Sequence, residues 1–143
     1  MNGRISRVLD NLWVGGAPGF GLEVDGQADM LVLCASEYQP QASEFPTVQV
    51  VHAPFDDDEL TTDELSTALE ASKRVAEAVT AGQRVWVTCL AGLNRSAFVA
   101  ALAMRRLGWE PDKAIEAIRD ARGPIALSNL FFETVVLELA LTD

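Results

Sequence analysis

Cysteine, histidine and basic residues are all scarce in this sequence. Cys34 and Cys89 are the two cysteines and His52 the one histidine among 143 residues, so no cluster of soft ligands exists to build a structural zinc site. Against 21 Asp and Glu stand 11 Lys and Arg, a formal net charge of −10. A field of that sign repels nucleic acid and anionic membrane alike and excludes a general affinity for either. Any anion site must be assembled locally. Long apolar runs are missing too: stretches such as 97–104 fall far short of the roughly 20 residues a spanning helix needs, and residues 1–7 hold no apolar leader core. The expectation is a cytoplasmic protein, one domain over residues 1–143, acting as a monomer.

What is present reads as an alternation of strands and helices. Apolar residues at 5–9 and 12–14 flank Asp10-Asn11, a turn pair, and predict a hairpin; 15–21 reads as loop. Short β-branched runs at 30–34, 48–55 and 85–88 predict three further strands. Between the last two, Thr61 and Glu64 form a capping-box pair, Leu65, Leu69, Val75 and Val79 follow at helical spacing, and Gly82 suits the residue after a helix end. That strand-helix-strand order predicts parallel strands joined by a crossover. An Ala-rich helix over 96–107, apolar nearly all round, belongs at a domain centre. A helix from Pro111 to about Ala121 and a last one capped by Ser128 and reaching Leu141 complete the chain. The fold class is α/β, a central mixed β-sheet with helices on both faces.

The most informative stretch runs from Val85 through Cys89-Leu90-Ala91-Gly92-Leu93-Asn94-Arg95-Ser96, a strand passing through a short loop into a helix. A helix start offers unpaired N–H groups and the positive end of its dipole, and a tight loop before it turns further N–H groups inward, which makes a cradle for phosphate. Gly92 supplies the freedom for that curl. Arg95 adds a planar fork that matches two phosphate oxygens, and Cys89 brings a sulfur to the same centre, in surroundings that favour a thiolate. Ionisation alone gains little. A thiol moved from about 8.5 to about 5.5 is roughly thirtyfold more ionised at pH 7 but loses roughly fifteen- to thirtyfold in intrinsic nucleophilicity. The gain must lie in stabilising charge on transferring phosphoryl oxygens and in making sulfur a good leaving group, a task Ser96 can assist through its hydroxyl.

This stretch resembles the C-x5-R-[ST] signature of the protein tyrosine phosphatase superfamily, and the order of elements around it looks like the small dual-specificity phosphatases. The likeness runs from about Arg4 to Leu139. It implies Cys89 as nucleophile, Arg95 and the N–H groups of residues 90–95 as phosphate ligands, and neither metal nor cofactor. It also implies a general acid in Ala53-Pro54-Phe55-Asp56-Asp57-Asp58, where alignment on Pro54 selects Asp57 and leaves Asp56 and Asp58 as rivals. Cys34 falls where some members carry a cysteine that forms a reversible disulfide with the nucleophile. Two departures stand out: Thr88 replaces the histidine that braces the loop, from which a slower or shifted pH-rate profile is expected, and Ser128 replaces the proline of a P-N-x-x-F segment.

The implied reaction is hydrolysis of phosphotyrosine, and of phosphoserine or phosphothreonine, in a phosphorylated protein or peptide through a cysteinyl-phosphate intermediate. The chain looks too short for a large recognition loop, which favours a shallow site. Alternatives are an idle phosphopeptide-binding module, which Thr88 keeps open, an RNA 5′-phosphatase and an inositol-lipid phosphatase. The acidic balance opposes the RNA reading, and the lack of lysine at Leu90, Ala91 and Leu93 opposes the lipid one. His52 reads as a half-exposed strand residue, Asn129 as a first-turn residue, and Arg119 and Arg122 as solvated side chains.

Overall fold

The computed structural model describes residues 5–18 and 24–141; part of the expected 15–21 loop lies outside them. The predicted hairpin is β1 (Ile5–Leu9) and β2 (Leu12–Gly15), with Asn11 at a left-handed φ of 67° in its turn. β3 (Met30–Ala35), β4 (Gln49–Phe55) and β5 (Val85–Thr88) complete a sheet in the order β1-β2-β5-β3-β4. β1 is antiparallel to β2, and all other neighbours are parallel, so the sheet is mixed. The carboxyl ends of β3, β4 and β5 therefore open on one edge of the domain, where ligands of such sheets sit.

α1 (Thr62–Thr80) starts with the expected capping box: Glu64 N–H donates to Thr61 Oγ1 at 3.1 Å and Thr61 N–H donates to Glu64 Oε1 at 3.1 Å. It ends in a Schellman motif, where Gly82 at φ 82° lets Gln83 N–H reach Ala78 O. α2 (Arg95–Arg106) is the buried helix that its composition implies, with residues 95–104 all buried. α3 (Pro111–Arg122) follows its N-terminal proline.

The last helix corrects two expectations. α4 spans Leu130–Glu138, and its cap is Asn129, whose Oδ1 accepts from Phe132 N–H at 3.1 Å, in place of Ser128. Ser128 is one residue too early because Leu127, at φ 61°, turns the chain there. The helix stops short of Leu141 because Leu139 is extended and Arg105 Nη1 takes the carbonyls of Val136 and Leu139 at 3.1 and 2.6 Å.

Side chains alternate between the two faces of the sheet. Met30, Val32, Cys34, Val85 and Val87 face the larger core, which all four α-helices cover. Leu31, Leu33 and Trp86 face a smaller core closed by Val24, Ala28 and Phe45. The expected helical cover of both faces is thus unequal: among the described residues, the second face carries turns and one short 3-10 helix, Ala42–Glu44. No helix among the described residues is long and apolar enough to cross a membrane.

Three phenylalanines fix the segments that lead to the open edge. Phe98 and Phe132 stack at 4.4 Å between ring centroids, and Phe55 meets both edge-on at 6.1 and 5.9 Å. Phe55 lies two residues before Asp57, Phe98 three after Arg95 and Phe132 three after Asn129. One buried aromatic cluster thereby holds three strand and helix ends in register.

Candidate active site

β5 ends at Thr88 and the chain curls through residues 89–94 before α2 begins. Five carbonyls along the curl, those of residues 90–94, have partners, four of them from outside the loop and its helix. Leu90 O accepts from Ala17 N–H at 3.0 Å, Leu93 O from Leu127 N–H at 2.8 Å and Asn94 O from Phe98 N–H at 2.8 Å. Gly92 O and Ala91 O accept from Arg122 Nε and Nη2 at 3.1 and 3.5 Å. With these carbonyls engaged by outside partners, Gly92 N–H turns to the Cys89 sulfur, as in a loop whose backbone cradles an oxyanion.

The buried Cys89 sulfur sits in that centre. Gly92 N–H donates to Sγ at 3.2 Å, and Ser96 Oγ lies 3.3 Å from it. Gly92 has a φ of 75°, and a Cβ there would stand 2.5 Å from Gly15 C and Gly16 N. Glycine is required both by conformation and by space.

Arg95 is buried at the start of α2, yet its fork does not point into empty space. Nη1 and Nη2 donate to the two oxygens of Glu37 at 2.6 and 2.8 Å, and Nη1 also donates to Phe55 O at 3.3 Å. These bonds hold the Glu37 carboxyl at about 2, below its usual 4.5. Arg95 is in turn held above its ordinary value, first by Glu37 and also by the nearby Cys89.

The three aspartates after β4 separate by their partners. Asp57 accepts from Asn94 Nδ2 at 3.1 Å and from Asn129 Nδ2 at 2.8 Å, which ties it to the anion loop and to the cap of α4. Asp56 turns away to accept from Ser36 Oγ, and its N–H donates to Glu64 Oε2 at 3.0 Å. Asp58 accepts from the adjacent Glu59 N–H at 2.8 Å. A cavity of about 580 Å³ opens beside Asp57, lined also by Asp58, Glu59, Asn94, Leu130 and Phe131.

Cys34 is wholly buried in the larger core, one residue past the Leu33–Thr88 pair of β3 and β5, so it lies across from Cys89. Burial, with a smaller contribution from Cys89, pushes its thiol well above the usual value. His52 Nδ1–H donates to Gln39 Oε1 at 2.9 Å, away from the loop.

A match to known proteins follows this geometry. The sequence fits the family described as "Dual specificity phosphatase, catalytic domain" over residues 27–139. The chain belongs to that family. Among solved structures, it is similar to a mouse protein described as a dual specificity phosphatase and complexed with zinc tungstate, at 29% identity, TM-score 0.76, over 92% of this chain and 83% of that one. Tk-PTP in its active form matches at 23% identity and TM-score 0.77 over 92% of each chain. PTPMT1 in complex with PI(5)P matches at 21% identity and TM-score 0.69 over 92% of this chain and 96% of that one. The last two likenesses bear on the fold alone. A search of curated proteins returns no match.

Within the phosphatase family the Thr88 departure has a visible consequence. Its hydroxyl is buried and donates to Val32 O at 2.8 Å, a strand-to-strand bond, so this side chain braces the sheet and leaves the loop to others. Arg122 is among those others. Expected to be solvated, it instead reaches from the end of α3 to the loop carbonyls, with Nη1 on Ser6 Oγ at 3.0 Å. Arg119, also expected to be solvated, bonds Ala126 O, Leu127 O and Glu133. Glu37 had no reading from sequence, although a carboxylate two residues past a buried strand end, beside an anion loop, is a signal that topology makes readable.

Proposed function

We propose that this phosphatase-family chain, a single domain acting as a monomer, hydrolyses phosphomonoesters on protein side chains, phosphotyrosine and phosphoserine or phosphothreonine. The observation that carries the reading is the curl at 89–94, whose carbonyls are engaged outward around a buried sulfur. In the first step a Cys89 S–P bond forms as the bond from phosphorus to the leaving oxygen breaks, and Asp57 gives its proton to that oxygen. In the second, water attacks phosphorus and Asp57 takes its proton. The S–P bond breaks, and the departing thiolate accepts from Ser96 Oγ–H, the group 3.3 Å away. The N–H groups of Leu90, Ala91, Gly92, Leu93, Asn94 and Arg95, with the Arg95 guanidinium, hold the three other oxygens throughout both steps. No cofactor enters this scheme.

A protein substrate fits the surroundings better than a lipid headgroup or an RNA end. Asp58 and Glu59 beside the site would repel a polyanion, whereas Leu90, Ile125 and Leu130 are large apolar side chains exposed at 51%, 61% and 74%, a surface suited to peptide. A phosphopeptide-binding module without turnover is the second reading, favoured by Thr88. The deciding experiment is hydrolysis of p-nitrophenyl phosphate with and without vanadate. Vanadate-sensitive turnover, abolished in Cys89→Ser with oxyanion binding kept, supports the enzyme. No turnover above buffer with tight phosphopeptide binding supports the module. Rates on phosphotyrosine and phosphothreonine peptides, on phosphoinositide and on 5′-triphosphate RNA then rank the substrates.

Cys34 enters as a redox partner in the same proposal. Its raised thiol stays protonated at neutral pH, so Cys89 is the cysteine oxidised first by peroxide, and the resulting sulfenic acid condenses with Cys34 to a disulfide with loss of water. Intact mass should show a net loss of two hydrogens. Sulfenic acid alone, with Cys34 still alkylatable after unfolding, contradicts it.

A further inference from the structure

Residues 56–61 join β4 to α1, and among the described residues no bond between backbone groups supports the 57–60 stretch. A connection of that kind would be free to swing, yet both of its ends are bonded to a single carboxylate. Glu64 Oε1 accepts from Thr61 N–H at 3.1 Å, the return bond of the capping box. Glu64 Oε2 accepts from Asp56 N–H at 3.0 Å. The first bond is what a helix start requires. The second is not, because Asp56 lies outside the helix and the box is complete without it. One side chain thus closes the neck of the acid segment, and Asp57 is the next residue inside that neck.

We propose that Glu64 is a positioning residue of this active site: by holding Asp56 N–H and Thr61 N–H on its two oxygens, it staples the acid segment and keeps Asp57 within reach of the anion loop. The inference rests on the reading of Asp57 as general acid and adds what holds that acid in place. Asn94 and Asn129 grip the Asp57 carboxyl itself, and an acid that turns to a leaving oxygen gives up part of that grip. The bonds to Glu64 come from backbone groups that take no part in the chemistry, so they persist through both steps. Without them, each incoming substrate would have to order the segment before a proton could move. The Asp56 side chain is not the anchor. It bonds Ser36 Oγ, and its replacement leaves the Asp56 N–H on Glu64.

A lost helix cap and a lost staple have to be told apart, and Thr61 allows it. Thr61→Ala removes the hydroxyl that accepts from Glu64 N–H at 3.1 Å but keeps Thr61 N–H and the bond from Asp56. Glu64→Ala removes both bonds of the carboxylate. The experiment is thermal melting and steady-state kinetics of both variants, with tungstate titration by calorimetry in the Cys89→Ser background. Each variant should melt about 3 °C lower. Glu64→Ala alone should lose about tenfold in kcat/KM on the phosphopeptide that the parent hydrolyses best. On p-nitrophenyl phosphate, whose leaving group needs no proton, it should stay within about twofold of the parent, with tungstate affinity unchanged. Should Glu64→Ala fail to fold, Glu64→Met keeps the length and helix preference of the side chain but accepts no comparable hydrogen bond, and the same outcome is expected. Undiminished phosphopeptide turnover in Glu64→Ala overturns the inference. Equal losses in Thr61→Ala also overturn it, marking an effect of the helix start, as do equal losses on both substrates or weakened tungstate binding, which would place the damage in the anion loop. A parent that turns over no phosphopeptide, or an Asp57→Asn variant as fast as the parent, would instead sink the reading of Asp57 as acid, and this inference with it.

Discussion

The anion loop and the acid segment face each other across the same opening, but they are held by different means. The loop at 89–94 is fixed through its backbone, carbonyl by carbonyl, and its key side chains Cys89, Arg95 and Ser96 are buried. The acid segment at 56–58 is exposed, and Asp57 is placed by two side-chain amides, Asn94 and Asn129. A cradle for a tetrahedral anion has to be rigid, because its N–H groups act by preorganisation. A proton donor must only come within hydrogen-bond reach of the leaving oxygen, and side-chain tethers suffice for that.

The largest effect that separates these two halves concerns the acid. Asp57→Asn should lower kcat by about 10² to 10⁴ on phosphopeptides, whose leaving oxygen needs a proton, and by much less on p-nitrophenyl phosphate, whose leaving group does not. Asp56→Asn and Asp58→Asn should change either rate little. Equal losses for all three would erase the distinction between Asp57 and its neighbours. Gly92→Ala attacks the other half: at φ 75° and with backbone atoms 2.5 Å from the new methyl, it should cost about 2–4 kcal/mol in denaturant unfolding and abolish tungstate binding. Asn129→Ala is intermediate in character, since it removes both a helix cap and a tether. About 1 kcal/mol of stability and a several-fold lower kcat, with tungstate affinity retained, would show that the tether serves the acid alone.

The smallest effect is acid-dependent. Glu37 binds its proton less readily in the folded state, where its carboxyl titrates at about 2 against a usual 4.5. The Arg95 pair therefore stabilises fully above about pH 4.5, and that contribution is lost as the pH falls toward 2. The carboxylate is 47% exposed, so salt should shrink the contribution. Glu37→Gln should flatten the pH dependence of stability in this window, measured by urea unfolding at low and high salt; an unaltered profile would contradict it.

Much of this was legible in the sequence, for reasons specific to each element. The α1 capping box, the buried α2 and the Cys89 to Ser96 spacing are local patterns, set by residues a few positions apart, and sequence displays them directly. Alignment on Pro54 selects Asp57 as the acid we propose, but the partners that distinguish it from Asp56, namely Ser36, Asn94 and Asn129, are brought near only by the fold. Arg122 and Glu37 were unreadable for the same reason: an arginine at the end of α3 and a glutamate after β3 look solvated until the sheet order sets β3 beside β5 and the chain turn at Leu127 beside Leu93. The cap of α4 was misplaced by one residue because Ser128 and Asn129 are both good caps, and the left-handed Leu127 that decides between them gives no warning in composition.

The central claim is that phosphorus is transferred to the sulfur at the centre of the curl. Acid quenching during turnover of a phosphopeptide, followed by peptide mapping by mass, tests it most directly. The account predicts a phosphoryl group on the peptide that contains Cys89, absent in Cys89→Ser and accumulating in Ser96→Ala, which slows the second step alone. Sustained hydrolysis with no phosphoryl group on that peptide would contradict it.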